Sequence, residues 1–503
     1  MYTSKSFYLI LFILVFWCVG AVAQPRVLLK GDYPDPTIMR DGKDFYMTHS
    51  SCDYAPGILI WHSEDLVNWQ PVCRVLTKYF SRVWAPDLQK VDGKYYLYFP
   101  SRRRIYVCTA ENIKGPWSDP ILVTRKGRSI DPGLIVTPQG KKYLFVNDGK
   151  MAPLNDEGTE LTDTLRIVHR GWPIPRHWNG YGYDPQNPDK EIDIVLESPK
   201  LIYKDGYYYL TSAEGGTAGA PTKHMAVSAR AKSLEGPWEE SPYNPIVRTY
   251  DASESWWSKG HGTLIDDAQG RWWIVYHAYP KNAHVLGRYT LIEPVEWTED
   301  GWWKVSDKKN PLGVGAEVQA DPDNELTWTY YKEYPSDAVS FSKRKIVLKG
   351  KGSTAKNGRV LLMTAGDLRY DIQAKISIND MKGGTQAGLV LFYNEKAFSG
   401  VLVDGRQAYV YDNGNQLETY DLQSKIGAKG IDLRLCNSGD SLDIQVRCDN
   451  SSWTTLVSGL DISGMHHNKL KGFLALRPGL MVVGDDSAEF RNFKYKPKKI
   501  KKP

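Results

Sequence analysis

The chain has 503 residues, enough for two or three domains, with 12% aromatic residues including 17 Trp and 31 Tyr. Its formal charge of +6 is small for that length and argues against a nucleic-acid-binding protein. The aromatic richness suits an all-β protein with surfaces on which flat ligands stack.

The N-terminus reads as a targeting segment over residues 1–23. Lys5 supplies a positive start, Phe7 to Val19 an apolar stretch and Ala21-Val22-Ala23 a small-residue cleavage signal. A mature chain beginning at Gln24 is therefore expected, secreted or periplasmic. The apolar stretch is short for a bilayer crossing and no later one is longer, so no membrane span is expected. Bulky Phe16 and Trp17 before Cys18 argue against lipoprotein processing. Cys52, Cys73, Cys108, Cys436 and Cys448 remain after cleavage, an odd count with no CxxC spacing, which speaks against structural zinc. Cys436 and Cys448 flank a predicted hairpin and are candidates for a bridge.

Over residues 25–315 one unit recurs. An inner strand, a tight turn and a second aromatic strand appear at Asp35-Pro36-Thr37-Ile38 with Asp41-Gly42, and at Trp84-Ala85-Pro86-Asp87-Leu88 with Asp92-Gly93. They appear again at Asp131-Pro132-Gly133-Leu134 with Gln139-Gly140, at Glu197-Ser198-Pro199-Lys200-Leu201 with Asp205-Gly206, and at His261-Gly262-Thr263-Leu264 with Gln269-Gly270. Five such hairpins, irregularly spaced by about fifty residues, predict a five-bladed β-propeller. Ile38, Leu88, Leu134, Leu201 and Leu264 serve as a ruler. Three or four positions before them stand Asp35, Trp84, Asp131, Glu197 and His261, which would enter at similar depth around one axis.

Between the hairpins, turns ending in Trp69, Trp117 and Trp238 read as blade packing rather than ligand contacts. A long insertion, Asn155 to Ile194, contains Trp172 and the stretch Trp178-Asn179-Gly180-Tyr181-Gly182-Tyr183. It precedes Glu197 directly and is positioned to wall a pocket. From Leu326 onward Trp and Pro thin out and alternating strands predict a β-sandwich over 326–503. Lys494, Lys496, Lys498, Lys499, Lys501 and Lys502 read as a solvated terminus.

Three carboxylates in register point to chemistry. Cleaving a glycosidic bond takes an acid for the leaving oxygen and a base for water, or a nucleophile. The segments Tyr33-Pro34-Asp35-Pro36-Thr37-Ile38, Trp84-Ala85-Pro86-Asp87-Leu88, Asp131-Pro132-Gly133-Leu134, Glu197-Ser198-Pro199-Lys200-Leu201 and Gly287-Arg288-Tyr289-Thr290 together resemble glycoside hydrolase family 43. Ser50-Ser51 and His62-Ser63-Glu64-Asp65-Leu66 resemble its exo-acting β-xylosidase and α-L-arabinofuranosidase members. Gln386-Ala387-Gly388-Leu389-Val390 is similar to part of the concanavalin-like C-terminal domain of some members.

That resemblance implies a five-bladed propeller followed by a concanavalin-like sandwich, and an inverting reaction. It gives Asp35 the role of general base, Glu197 that of general acid, and Asp131 that of the residue that orients the acid and raises its pKa. Arg288 is implied to bind substrate, Trp84 to wall the pocket, and His261 to be the axial histidine near a central calcium or water cluster. An ion there would be held largely by water and carbonyls, because calcium prefers oxygen. No cofactor is required by the reaction. An acid–base pair of this kind is expected to stand about 6.5–9.5 Å apart. Glu214, a rival carboxylate, and His224 are expected at the pocket rim.

The substrate implied is an oligo- or polysaccharide from plant cell walls, losing terminal xylose or arabinofuranose. The alternatives are an endo-acting arabinanase and a propeller lectin, though a lectin needs no acid–base pair. The sandwich is expected to pack on the propeller and lend a loop to the pocket, with carbohydrate binding of its own as the further option.

Overall fold

The computed structural model describes residues 25–175, 178, 194–313, 321–377, 384–422, 430–448 and 451–498. The expected signal segment, residues 179–183 of the long insertion, and Lys499, Lys501 and Lys502 lie outside these residues. Among the described residues no helix is long and apolar enough to cross a membrane.

Five antiparallel sheets form the N-terminal part. Blade I holds Thr37–Asp41, Asp44–Thr48, Gly57–Ser63 and Gln70–Leu76, and blade II holds Asp87–Val91, Lys94–Ser101, Arg104–Ala110 and Ile121–Leu122. Blade III is Gly133–Val136, Lys142–Val146, Lys150–Pro153 and Arg166–Ile167, and blade IV is Glu197–Lys204, Tyr207–Glu214, Met225–Ala231 and Glu239–Glu240. Blade V joins Trp256–Asp266, Trp272–Pro280 and Tyr289–Trp297 to the N-terminal strand Arg26–Leu29. That last pairing fastens the beginning of the propeller to its end, so the ring closes without a free seam. Each innermost strand touches the next, from blade I through blade V and back to blade I.

Local chemistry explains the hairpins. At Asp92-Gly93 and Asp205-Gly206 both residues have positive φ, 50° and 82° in the first and 50° and 84° in the second. These are the torsions that match a two-residue turn to the strand twist. Trp69 is buried, Trp117 donates from Nε1 to the Ile113 carbonyl at 3.1 Å, and Trp238 meets Phe145 edge-on at 6.2 Å. All three are packing residues, and Trp238 of blade IV packs against blade III.

A second feature repeats five times. The residue three before each ruler position is left-handed: Asp35 (φ 57°), Ala85 (20°), Asp131 (53°), Ser198 (56°) and His261 (58°). The chain therefore makes the same swerve as it enters each inner strand. Trp84 and Glu197 stand one residue before the swerve, and their side chains leave it in a different direction from Asp35, Asp131 and His261. Blades III and IV come so close at the axis that a Cβ on Gly133 would lie 1.8 Å from the Pro199 carbonyl oxygen. Only glycine fits there.

The C-terminal part is two facing sheets, of eight and seven strands. Its strands Gln386–Asn394, Ala397–Val403, Gln407–Asp412, Ile431–Asn437 and Ser441–Cys448 contain every strand expected from the alternation. One expectation is corrected. Cys436 pairs with Asp443 and Cys448 with Ile431, so the two sulfurs sit at opposite ends of the hairpin and form no bridge. Lys494 and Lys496 belong to the final strand, Ser487–Pro497, with their side chains exposed, and Lys498 pairs with Asp371 at 2.7 Å.

The two parts are sewn together. Tyr54–Ala55, from within blade I, forms the edge strand of the eight-stranded sheet by pairing with Tyr331 and Tyr330. The Arg477 guanidinium lies 3.5 Å over the Tyr54 ring and donates to Thr329 Oγ1 at 3.2 Å. This seam sets where the sandwich loops fall on the propeller.

Candidate active site

The swerves bring the acids together. Asp35 is buried, and each oxygen is engaged: Oδ1 accepts from Arg288 Nη1 at 2.7 Å, and Oδ2 from Ser50 Oγ at 2.5 Å. Ser50 Oγ in turn accepts the Ala85 N–H at 2.6 Å, so the left-handed residue of blade II helps fix the acid of blade I. The Asp35 N–H donates to His277 Nδ1 at 3.0 Å, and His261 Nδ1 lies 3.6 Å from Asp35 Oδ1. Burial alone would raise the pKa of Asp35. The charge of the Arg288 guanidinium outweighs burial and holds the carboxyl well below its usual range. Asp35 is a carboxylate at any working pH.

Glu197 is the opposite case. It opens blade IV opposite Ala213, and the pairing slips between Glu197 and Lys200. This bulge, together with the left-handed Ser198, turns the carboxyl toward the axis. Burial pushes its pKa well above the ordinary value, and the charges of Asp131 and Asp35 push the same way. Oxygens of Asp131 and Glu197 and a ring nitrogen of His261 all lie within 4.8 Å of one another. Asp131 is also raised, by burial and then by Asp35, but Lys200 and the Ser198 N–H pull it back toward the charged form. Burial and mutual repulsion thus favour one proton held by this pair. His261 is near both acids, 3.6 Å from Asp35 and within 4.8 Å of Glu197. Burial keeps His261 and His277 neutral, the latter with its pKa down to about 4.

Arg288 is buried and fixed by Asp35, with the sandwich residue Phe473 5.7 Å from its guanidinium. Trp84 is half-buried and meets the same Phe473 edge-on at 6.4 Å. The loop expected from the second domain is thus the one carrying Phe473, which is held by stacking on His467 at 3.8 Å.

Two residues expected at the rim lie deeper. Glu214 is fully buried, and its Oε1 accepts the Trp172 N–H at 2.7 Å. It anchors the middle of the long insertion, with its pKa lifted to about 8 by burial and by Glu240, against the pull of the Trp172 bond. His224 is fully buried behind His277, stacked on it at 5.2 Å, and a Cβ on Gly260 would come within 2.2 Å of its ring. Ser50, His277, Asp87, Lys200 and Phe473 were not singled out as site residues from sequence. A polar residue inside the apolar strand Trp272–Pro280 was a usable signal for His277, and a lysine on an innermost strand was one for Lys200. Phe473 had none.

Two carboxyls at a propeller axis, one with its pKa lowered and one with its pKa raised, are the equipment of a glycoside hydrolase. Residues 25–303 match glycosyl hydrolases family 43, and residues 320–496 match the β-xylosidase C-terminal concanavalin A-like domain. The chain belongs to glycoside hydrolase family 43. It is 31% identical over 338 residues to a xylosidase/arabinosidase of Humicola insolens, covering 60% of this chain and 58% of that one. It is 28% identical over 424 residues to a non-reducing end α-L-arabinofuranosidase of Bacteroides ovatus, covering 75% of each. Among solved structures, a family 43 protein of Bacillus licheniformis superposes with a TM-score of 0.80 at 25% identity, covering 94% of this chain and all of that one. The match to the Humicola protein thus leaves about two fifths of that relative outside the shared region.

Proposed function

We propose that this protein is an exo-acting, inverting glycoside hydrolase that releases terminal xylose or arabinofuranose from plant polysaccharide fragments. The observation that carries the reading is the gathering of Asp35, Asp131 and Glu197 around His261, with Arg288 beside Asp35 lowering its pKa and burial raising that of Glu197. Glu197 gives its proton to the glycosidic oxygen as the C–O bond breaks. Asp35 takes a proton from a water molecule, whose oxygen attacks the anomeric carbon from the other face. The leaving chain departs as an alcohol and the sugar with inverted configuration. Asp131 keeps the acid protonated until substrate arrives, and Arg288 fixes the base. Phe473 over Trp84 and Arg288 narrows one side of the pocket, which favours a chain end over a chain middle.

None of these steps requires a metal. His261 Nε2 is buried and without a hydrogen-bond partner among the described residues, which suits the water shell of a structural Ca²⁺ on the axis. Such an ion would steady the histidine by charge. The N-terminal segment supports export, to be checked by sequencing the N-terminus of the mature protein.

The test is sugar release from paired aryl β-xylosides and aryl α-L-arabinofuranosides by wild type, Glu197→Gln and Asp35→Asn. Proton NMR of the first-formed anomer accompanies it. Wild-type turnover in both variants, or retained configuration, would overturn the reading.

A further inference from the structure

Two neighbouring turns on the site-bearing face carry six cations. Arg102, Arg103 and Arg104 fill the turn from strand Lys94–Ser101 into strand Arg104–Ala110, and Arg125, Lys126 and Arg128 lie in the loop leading to Asp131. The turns touch: Ser129 N–H donates to the Arg103 carbonyl at 3.0 Å, and the Arg104 guanidinium donates to the Gly127 carbonyl. Their place beside the pocket is fixed at both ends. Ser101 bridges to Val83, which adjoins Trp84, and Ser129 is two residues before Asp131. The cations therefore form the outer rim between the pocket-wall tryptophan and the residue that tunes the acid.

Arg102, Arg103, Arg125, Lys126 and Arg128 are all exposed. Among the described residues, Arg125 alone of the six makes an ion pair, with Glu160 at 3.3 Å, both ends in solvent. The other nearby carboxylates are engaged elsewhere, Asp148 by Lys150 and Asp163 by Arg166. A shallow depression of about 420 Å³ runs between Arg125, Lys126 and Arg128 on one side and Lys150 and Leu161 on the other. The fold does not call for arginine here. Arg102 and Arg103 are both left-handed, at φ 51° and 58°, where the matching turn of blade III uses Asp148-Gly149.

We propose that this rim binds the carboxylate of an acidic glycan, a uronate-bearing segment of the substrate chain, while the neutral terminal pentose occupies the pocket. This rests on the function proposed above and adds a substrate class to it. A concentrated cationic rim beside a sugar pocket draws in a polymer carrying carboxylates and holds it by bidentate guanidinium contacts. A neutral chain gains nothing from it.

The experiment compares a xylo-oligosaccharide bearing one glucuronate with the unsubstituted oligosaccharide of equal length. Wild type and the triple variant Arg102→Ala/Arg103→Ala/Arg128→Ala are assayed at about 20 mM and about 300 mM NaCl, across which screening changes strongly. An aryl pentoside serves as control. For wild type at low salt, KM for the acidic substrate should be about three- to tenfold below that for the neutral one, the range expected of a few exposed ion pairs. The advantage should vanish at high salt and in the triple variant, with kcat and aryl pentoside cleavage unchanged. Equal KM values at low salt, or a preference that survives the triple variant, overturn the proposal while active aryl pentoside cleavage leaves the hydrolase reading standing. Loss of aryl pentoside cleavage in wild type overturns that reading instead. Retention on polygalacturonate in affinity electrophoresis then tests the rim by itself, and stronger retention on DNA than on polygalacturonate overturns its assignment to glycan.

Discussion

Lys200 Nζ lies 2.8 Å from Asp87 Oδ1 beside the Asp35, Asp131 and Glu197 cluster, and neither side chain reaches solvent to any extent. The ammonium also donates to the carbonyls of Pro86 at 3.1 Å and Pro132 at 3.0 Å, while Asp87 Oδ2 accepts the Leu134 N–H at 2.8 Å. One lysine from blade IV thus ties blades II and III at the axis. A buried pair so fully bonded is costly to break from one side, because the remaining charge is stranded. Lys200→Met and Asp87→Asn should each destabilise the protein by about 3–5 kcal/mol. The double variant Lys200→Met/Asp87→Leu should lose much less than the two losses added. Urea unfolding followed by tryptophan fluorescence measures all three.

The acid and the base should separate by leaving group. Glu197→Gln cannot protonate the departing oxygen, so hydrolysis of a xylo-oligosaccharide should fall by roughly 10²–10⁴-fold. A nitrophenolate leaves without a proton, so the same variant should lose far less on a nitrophenyl glycoside. Asp35→Asn removes the base for water and should lose activity alike on both substrates. Steady-state kcat/KM on the two substrates is the measurement. A Glu197→Gln variant equally impaired on both would remove Glu197 from the acid role.

Much of this site was legible before any coordinates, because a propeller repeats its register. The ruler that placed Asp35, Asp131 and His261 at one depth relies on a strand period that the ring keeps five times over. It was one residue out at Trp84 and Glu197, since the true equivalents are Ala85 and Ser198, which carry the left-handed swerve. Torsion angles leave no direct mark on residue type when Ala and Ser adopt them beside Asp and His. Glu214 and His224 were misjudged for another reason. Their neighbours at the site are Trp172 and His277, brought in by a loop and by the adjacent blade, and burial depends on such partners rather than on local pattern. Phe473 reaches the pocket from a different domain, through a seam built on Tyr54 and Arg477.

Glu214 predicts a pH dependence of stability with a definite sign. Its pKa is near 4.5 in the unfolded chain and about 8 in the fold, so between these values the folded state holds the extra proton. Stability then falls as pH rises through that window, by up to about 1.4 kcal/mol for each unit of pKa difference. Below the window both states are protonated and the effect is absent. Glu197, also raised, acts in the same direction, whereas Asp35, depressed, adds stability that is lost only in strong acid. Glu214→Gln keeps an acceptor for the Trp172 N–H and removes the titration. It should match wild type in Tm near pH 4.5 and exceed it by several degrees near pH 8.5. Scanning calorimetry across that range checks the crossing, and a Tm gap that does not widen with pH would place the buried proton elsewhere.

Phe473 should matter for substrate and not for folding of the propeller. Its ring lies beside the Arg288 guanidinium and the Trp84 edge, at 5.7 Å and 6.4 Å, and closes that side of the pocket. Cation–π contacts of this partly desolvated kind are worth about 0.5–2 kcal/mol. Phe473→Ala should therefore lower kcat/KM by roughly 3- to 30-fold. The loss should fall mainly on KM, because Asp35 keeps Arg288 in place through its own hydrogen bond. Phe473→Tyr retains the ring and should recover most of the activity. Near-wild-type kinetics in Phe473→Ala would mean that the sandwich braces the propeller without shaping the pocket.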